Sequence, residues 1–288
     1  MITALSVLAT VAHADDGARV AVGFARQGDS GMPGLGTGAS IGSEEYRASA
    51  EFPISSTESR RWSVGLEYGY THFDYDSVAS RNRDLHRIEF PVRVVIDDDE
   101  WQLDGLIAPG IATSSNIFKD FLNKGSHEDL YLSGRVEARR PHGKTTWLAG
   151  VAYDRSFGDE RLYPIAGILI EPSPDVALRI AYPDSAMVWK PSDRYVLSGR
   201  VLPAGFEWRV VQDDLSSEFV YRTEGIRSQL TLSHGLWRQL WVDLFVAYEF
   251  ERRHEFATDG NQPLVSDVDN EWLVGLGFSV GAPFAGVR

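Results

Sequence analysis

An alternation of apolar and polar residues with a period of two returns along the whole chain and limits what it can fold into. The segments Arg61–Phe73 and Gln239–Glu251 show it most fully. Because successive side chains of a β-strand point to opposite faces, each segment has one apolar and one polar face. In a soluble β-sandwich the apolar face turns inward, whereas in a membrane barrel it turns outward to lipid and the polar face lines the interior.

The composition favours a single all-β domain, and the lack of cysteine fits an oxidising compartment outside the cytoplasm. The 288 residues contain no Pro/Ser-rich linker, and 11% of them are aromatic. A net charge of −13 argues against a nucleic-acid partner, since no basic stripe is present to neutralise phosphates. The chain has no cysteine, which excludes thiol catalysis, disulfides and thiolate metal sites.

The first fourteen residues resemble a secretory signal peptide. They are mostly apolar and end in Ala12-His13-Ala14, a small-x-small pattern that predicts cleavage after Ala14 and leaves residues 15–288 as the mature domain. A buried N-terminal strand or helix is the alternative. No later run reaches the eighteen or so apolar residues of a membrane-spanning helix. The protein is therefore expected to be secreted, periplasmic or an outer-membrane barrel.

The alternation predicts fourteen strands, and twelve if the two short strands beside Pro183 are not formed. The predicted strands are Arg19–Arg26, Glu44–Ile54, Arg61–Phe73, Asp84–Ile96, Glu100–Thr113, Asp129–Arg139, Thr145–Asp154, Leu162–Ile170, Asp175–Tyr182, Ser185–Lys190, Arg194–Val211, Glu218–Leu232, Gln239–Glu251 and Glu271–Val280. With the signal peptide, they indicate a single antiparallel up-and-down transmembrane β-barrel, because closure leaves no unpaired strand edge in the bilayer. The alternative is a soluble sandwich.

The connections alternate between short and long, as expected when one rim faces the periplasm and the other faces the outside. The four long connections are predicted at Gly28–Ser43, Asp74–Arg83, Ser114–Glu128 and His254–Asn270. Aromatic residues near the strand ends predict two interfacial girdles. The periplasmic girdle would contain Trp62, Trp101, Trp147, Trp237 and Trp241, and the outer girdle Tyr70, Phe73, Tyr153, Tyr248 and Phe250.

The polar faces of the strands carry charges of both signs, which are expected to line the lumen. They would pair across it and either fill the interior or leave a narrow wet channel. The candidate lumen-lining residues are Arg47, Glu51, Glu67, Arg87, Glu89, Arg93, Asp104, Arg135, Glu137, Asp154, Arg179, Arg200, Arg227, Asp243 and Glu249.

Three motifs suggest other chemistry but lack its context. Gly28–Pro33 is similar to the sequence around the nucleophile of trypsin-like proteases, yet the only histidine before it is His13. His127–Asp129 lacks metal-ligand spacing, and Asp97–Glu100 is better explained as a solvated turn than as a calcium site. We therefore predict no catalytic, cofactor-binding or metal site, and no enzyme activity.

The segment from Leu162 to Val280 resembles a family of bacterial outer-membrane β-barrel proteins of unknown function. The similarity lies in Leu162–Ile168, in the proline-marked turn and strand Pro172–Pro183, and in Ala247–Arg253 followed by a closing strand at Trp272–Val280. One departure is that Gly281–Arg288 continues past the last strand. The resemblance implies an outer-membrane barrel with lipid as its surroundings, and it supplies no catalytic residues.

Three functions are compatible with such a barrel. The first is a passive or mildly selective pore for small solutes, whose lumen charges set the ion preference. The second is a closed structural or surface-display barrel, and the third is an enzyme that acts on lipid at the outer rim. The oligomeric state is left open.

Overall fold

The computed structural model describes residues 18–211, 218–237, 239–257 and 263–281, and these form one closed antiparallel β-barrel of fourteen strands. The predicted signal peptide lies outside the described residues. The strands are β1 (Arg19–Gly31), β2 (Ser40–Ser56), β3 (Arg60–Asp76), β4 (Arg83–Glu89 and Val92–Asp97), β5 (Gln102–Ser114), β6 (Leu130–His142), β7 (Thr145–Asp154), β8 (Arg161–Ser173), β9 (Val176–Tyr182), β10 (Ser185–Ser192), β11 (Tyr195–Pro203 and Phe206–Val211), β12 (Glu218–Trp237), β13 (Leu240–Ala257) and β14 (Pro263–Val268 and Glu271–Val280).

Each strand pairs with its neighbours in sequence, and β14 pairs with β1 from Val20↔Val280 to Gln27↔Leu273 to close the barrel. Three strands are interrupted. In β4 the break falls at Pro91, which has no backbone N–H to donate to a neighbouring strand. Both halves of β4 still pair with β3 and β5, so they form one strand. The prediction of a barrel is confirmed, with fourteen strands rather than twelve.

The connections lie at two rims. At the rim that we call the turn rim, the strands are joined by tight turns such as Gly143-Lys144, which links β6 to β7. The opposite loop rim carries the longer connections, and the one between β5 and β6 contains two short helices, α1 (Ser115–Phe118) and α2 (Phe121–Lys124), and a 3₁₀ turn at His127–Asp129. Within the described residues, no helix is long and apolar enough to span a membrane.

The outside of the barrel is a continuous apolar belt. Large apolar side chains project outward on strands all around the wall, including Val22, Leu66, Val136, Val151 and Leu244. An exposed apolar surface of this extent is stable only against lipid. The nine residues from Trp62 to Tyr70 on β3, tilted in the manner of barrel strands, span about 20 Å along the barrel axis.

The girdle predictions are right at some positions and wrong at two. Trp62, Trp101 and Trp147 are outward and exposed at the turn-rim edge of the belt. Trp241 and Phe73 instead point into the barrel, where 8% and 6% of their surfaces are exposed. Both residues lie at inward positions of the alternation. The position of a residue in the alternation therefore decides whether its side chain faces the lumen or lipid, even for a tryptophan near a strand end.

Near the loop rim the alternation reverses its sense, because the strands continue beyond the apolar belt. Here the outward positions are charged, as at Arg26 and Arg253, while the inward positions hold Ile41, Tyr221 and Phe256, which are almost completely buried. The predicted long connections Gly28–Ser43 and His254–Asn270 are therefore wrong in part. Most of their residues extend β1, β2, β13 and β14, because inward apolar side chains pack together there.

The second segment of β11 closes this extension across the barrel. After Ala204-Gly205 it no longer pairs with β10, and Arg209 instead forms a parallel bridge with Thr113 of β5. The short strands β7–β10 end below this level. Nine strands, β11–β14 and β1–β5, therefore enclose the loop-rim end, and this narrower enclosure is small enough for side chains to fill.

Candidate functional site in the barrel lumen

The structure places the fifteen candidate lumen-lining residues on inward positions of the strands, in several separate groups. Some are isolated from the main groups: Ser63 donates a hydrogen bond to Glu51, Tyr163 donates one to Asp154, and Ser233 and Ser279 donate to Asp243. Arg200 makes no hydrogen bond or ion pair within the described residues, and its Nη2 is buried. Arg87 lines a cavity described below, Glu89 on the same strand is almost completely buried, and most of the remaining residues meet near the turn rim and at mid-lumen.

Near the turn rim, four arginines surround two carboxylates; we call this group the arginine cluster. Arg93 donates two hydrogen bonds to Asp104, each 2.9 Å long, and Arg135 donates a third at 3.3 Å. Arg179 and Arg139 both donate to Glu137, at 2.7 and 2.8 Å. Asp104 and Glu137 are completely buried.

The arginine cluster has an excess of one positive charge, since its four guanidinium groups face Asp104, Glu137 and also Asp184, which lies 3.7 Å from Arg179. Nitrogens Nε and Nη1 of Arg135 and Nε of Arg179 are buried without an acceptor among the described residues. A buried cationic donor that lacks a protein acceptor must be hydrated or it destabilises the fold. The unpartnered nitrogens of the cluster therefore favour hydration of this part of the lumen.

A second charged group lies at mid-lumen, where Arg227 bridges two carboxylates. It donates to Glu249 at 2.6 Å and to Glu45 at 2.7 Å, and Arg47 also pairs with Glu45. Arg252 donates to Gln27 at 2.7 Å and lies 3.6 Å from Glu249. These pairs join β2, β12 and β13 with β1 and fix the inner wall.

Arg252 shares the inner face with Glu249 because of a β-bulge. Glu251 has a positive φ of 54°, and the register of β13 against β12 shifts at this point. Three residues apart on a regular strand, Glu249 and Arg252 would face opposite sides. The regular alternation therefore could not place Arg252 in the predicted lumen-lining set. Glu45 and Arg139 follow the inward phase, yet they too were absent from that set.

A cavity of about 70 Å³, partly open to solvent, lies between the mid-lumen charges and the loop-rim end. Arg47, Arg87, Arg227 and His254 line it together with the aromatic residues Phe206 and Trp208. The Arg87 guanidinium lies over the Phe206 ring at 4.6 Å. The walls of the cavity thus combine arginines, the glutamates Glu45, Glu224 and Glu249, and aromatic rings, and its volume holds only a few water molecules.

An apolar core, which we call the outer core, fills the barrel between the cavity and the loop rim. It consists of Met32, Ala39, Ile41, Phe73, Leu85, Ala112, Tyr131, Phe206, Trp208, Val210, Tyr221, Phe256 and Val268. Phe73 stacks on Tyr221 with ring centroids 5.1 Å apart, and Phe206 lies 4.8 Å from Trp208. The outer core blocks the lumen at this level.

Polar contacts hold the second segment of β11 against β5 and the connection that follows it; we call these contacts the clasp. Arg209 donates to Asp129 at 2.9 Å and lies 3.3 Å from Glu128, while Asn116 donates to the backbone carbonyl of Val211. The carboxylates of the His127–Asp129 motif therefore bind an arginine. Sequence reasoning missed the clasp, because β5 and β11 are not neighbours in the chain.

Comparisons with known proteins support the fold. No protein-family model matches the chain, and no curated protein matches it. An outer membrane channel from Pseudomonas putida F1 is 8% identical, with 92% of this chain and 95% of that one covered at a TM-score of 0.50. The chain shares the bacterial outer-membrane barrel fold.

Other solved structures are less similar in three dimensions. The Pseudomonas putida toluene transporter TodX is 10% identical over 97% of this chain and 93% of its own, with a TM-score of 0.44. The translocator domain of the autotransporter NalP from Neisseria meningitidis is 12% identical over 96% and 92%, with a TM-score of 0.43. At such identities the likeness concerns the fold alone.

Proposed function

We propose that this protein is an outer-membrane channel for small solutes whose lumen is constricted at the outer core. The turn rim would face the periplasm and the loop rim the outside, and transport would involve no chemical step. The observation that carries the proposal is a set of buried guanidinium nitrogens that lack an acceptor among the described residues: Nε and Nη1 of Arg135, Nε of Arg179 and Nη2 of Arg200. These donors require water inside a wall that faces lipid.

The cavity supports the same proposal, because it is a polar space, partly open to solvent, between the hydrated lumen and the outer core. Passage to the outside requires the outer core to move. The clasp is the part of the wall most suited to movement, since side-chain contacts and one backbone bridge replace a full strand ladder there. The fold shared with the Pseudomonas putida F1 channel is compatible with this role.

Planar-bilayer conductance tests the proposal. Replacing both Phe206 and Trp208 with alanine removes two large rings from the outer core and should give larger current steps than the wild type. Trp147→Ala, which truncates an outward tryptophan, is the matched control and should conduct like the wild type. A heat-dependent shift in gel mobility shows that each variant is folded. Folded double variants that never conduct would overturn the proposal.

A cross-link across the clasp gives a second test that leaves the outer core intact. Since the chain has no cysteine, a Thr113→Cys, Arg209→Cys variant contains one pair of thiols at the parallel bridge. Oxidation should abolish current steps and reduction should restore them, if β11 must move. Equal conductance in both states would show that the clasp does not gate the lumen.

A closed structural barrel is the second candidate function, and the outer core favours it. Thirteen buried apolar residues fill the loop-rim end in the manner of a soluble protein interior. Such a barrel would present its loops without transport. Absence of current from wild type and from the folded double variant would support this function.

A further inference from the structure

The connection between β5 and β6 runs along the outside of the barrel wall at the edge of the apolar belt. Two contacts hold its first helix, α1, against the barrel wall. Ile117 is almost completely buried, and Ser115 Oγ lies 2.6 Å from Nε2 of His86. The Phe118 ring stacks on the His86 ring at 4.3 Å with an angle of 8° between the planes. Phe118 therefore covers a residue of the outward face.

The position of His86 sets the level of this segment. Nδ1 of His86 is 2.9 Å from the hydroxyl of Tyr68, and its ring lies 5.1 Å from that of Tyr70. Tyr70 in turn donates to Asp84 at 2.5 Å. Aromatic rings with polar tips directly above aliphatic side chains mark the boundary between acyl chains and headgroups. The segment thus lies at that boundary.

The segment presents one apolar side chain, that of Leu122, away from its packed residues. Leu122 in α2 is 98% exposed, and no described residue covers it. Lys119, between the two helices, is exposed, and its charge suits anionic headgroups. An isolated leucine in water would call for no explanation, but this one lies four residues after Phe118, which packs on the wall at the edge of the apolar belt.

We propose that residues 115–124 form an interfacial anchor, with Leu122 and Phe118 inserted at the acyl boundary of the outer leaflet and Lys119 at its phosphates. The partner is lipid, because Phe118 and the His86 and Tyr70 rings next to it continue the lipid-facing belt. The proposal needs only the barrel and its orientation in the membrane, not transport through it.

Site-directed spin labelling tests the anchor in the full-length protein, because the chain has no native cysteine. A nitroxide at Leu122→Cys in phospholipid vesicles is compared with one at Val151→Cys on the lipid-facing belt and one at Ala79→Cys, an exposed position in the β3–β4 loop. Power saturation measures access to oxygen, which concentrates in lipid, and to a water-soluble nickel chelate.

The label at residue 122 should show a depth parameter shifted from that of residue 79 toward that of residue 151. A value equal to that of residue 79 would overturn the proposal, since it would place Leu122 in water. Spin–spin broadening at residue 122 would also overturn it, because it would show that a second copy covers Leu122. The gel-mobility shift confirms folding of each labelled variant.

Discussion

Removal of one charge from the arginine cluster should strongly destabilise the barrel. Asp104 is completely buried and accepts three hydrogen bonds from Arg93 and Arg135, and Arg139 lies 3.6 Å from it. Asp104→Asn keeps the size of the side chain and one acceptor oxygen, but it removes the negative charge. With Asp184 beside Arg179 included, the excess of arginines over carboxylates then rises from one to two.

The expected loss in the free energy of unfolding follows from the burial of Asp104. Breaking a buried ion pair by removing one partner costs about 3–5 kcal/mol, because the other charge is left in a site of low polarity. Water that reaches the lumen reduces this cost, so the lower end of the range applies. The exposed pair of Glu100 with Arg140, 3.8 Å apart, is the matched control. Glu100→Gln should cost well under 1 kcal/mol, as is usual for surface pairs.

Equilibrium unfolding in urea with lipid vesicles, followed by tryptophan fluorescence, measures both variants under the same conditions. The Asp104→Asn variant should lose about 3 kcal/mol in the free energy of unfolding. A loss within about 1 kcal/mol of that of Glu100→Gln would refute the reasoning, because it would show that solvent screens the cluster as it screens the surface.

Two further predictions concern selectivity and packing. Arg200 lacks an ion pair while Arg93 is neutralised by Asp104, so Arg200→Gln should shift the reversal potential of the conducting protein toward cations more than Arg93→Gln; equal shifts would contradict this difference. Gly150→Ala should cost several kcal/mol, since its Cβ would lie 2.2 Å from the backbone oxygen of Val136, whereas Gly199→Ala has open space and should be nearly neutral; equal losses in urea unfolding would contradict that account.

The sequence predicted which charged residues lie on the inner face of the barrel, but it did not predict which of them form ion pairs with one another. Orientation follows from the period of two, which is a local property, so Asp104 and Arg227 could be assigned to the inner face from sequence alone. Which arginine meets which carboxylate depends on strand register and on the curvature of the wall. Arg227 meets Glu45 across 182 residues of sequence, a contact for which the sequence holds no local signal.

The loop-rim end shows why a correct pattern can lead to a wrong boundary. Ile41 and Phe256 are apolar residues at inward positions. Inward positions of a membrane barrel are expected to be polar, so an apolar residue there is taken to mean that the strand has ended. They continue β2 and β13 because the surroundings of the wall change from lipid to water at this level. Once water is outside, burial inside the barrel becomes the favourable place for apolar side chains.

The sequence by itself indicated a barrel of twelve to fourteen strands, their alternation and, together with the signal-like N-terminus and the alternating connections, the outward direction of the apolar face within the belt. These depend on side-chain direction along a strand and on the requirement that a membrane-spanning wall leave no backbone group unpaired. Only the tertiary structure decided that β11 crosses to β5, that a bulge at Glu251 brings Arg252 inward, and that an apolar core fills the narrowed end. Those features depend on distances between residues that are far apart in the chain, and no local pattern encodes them.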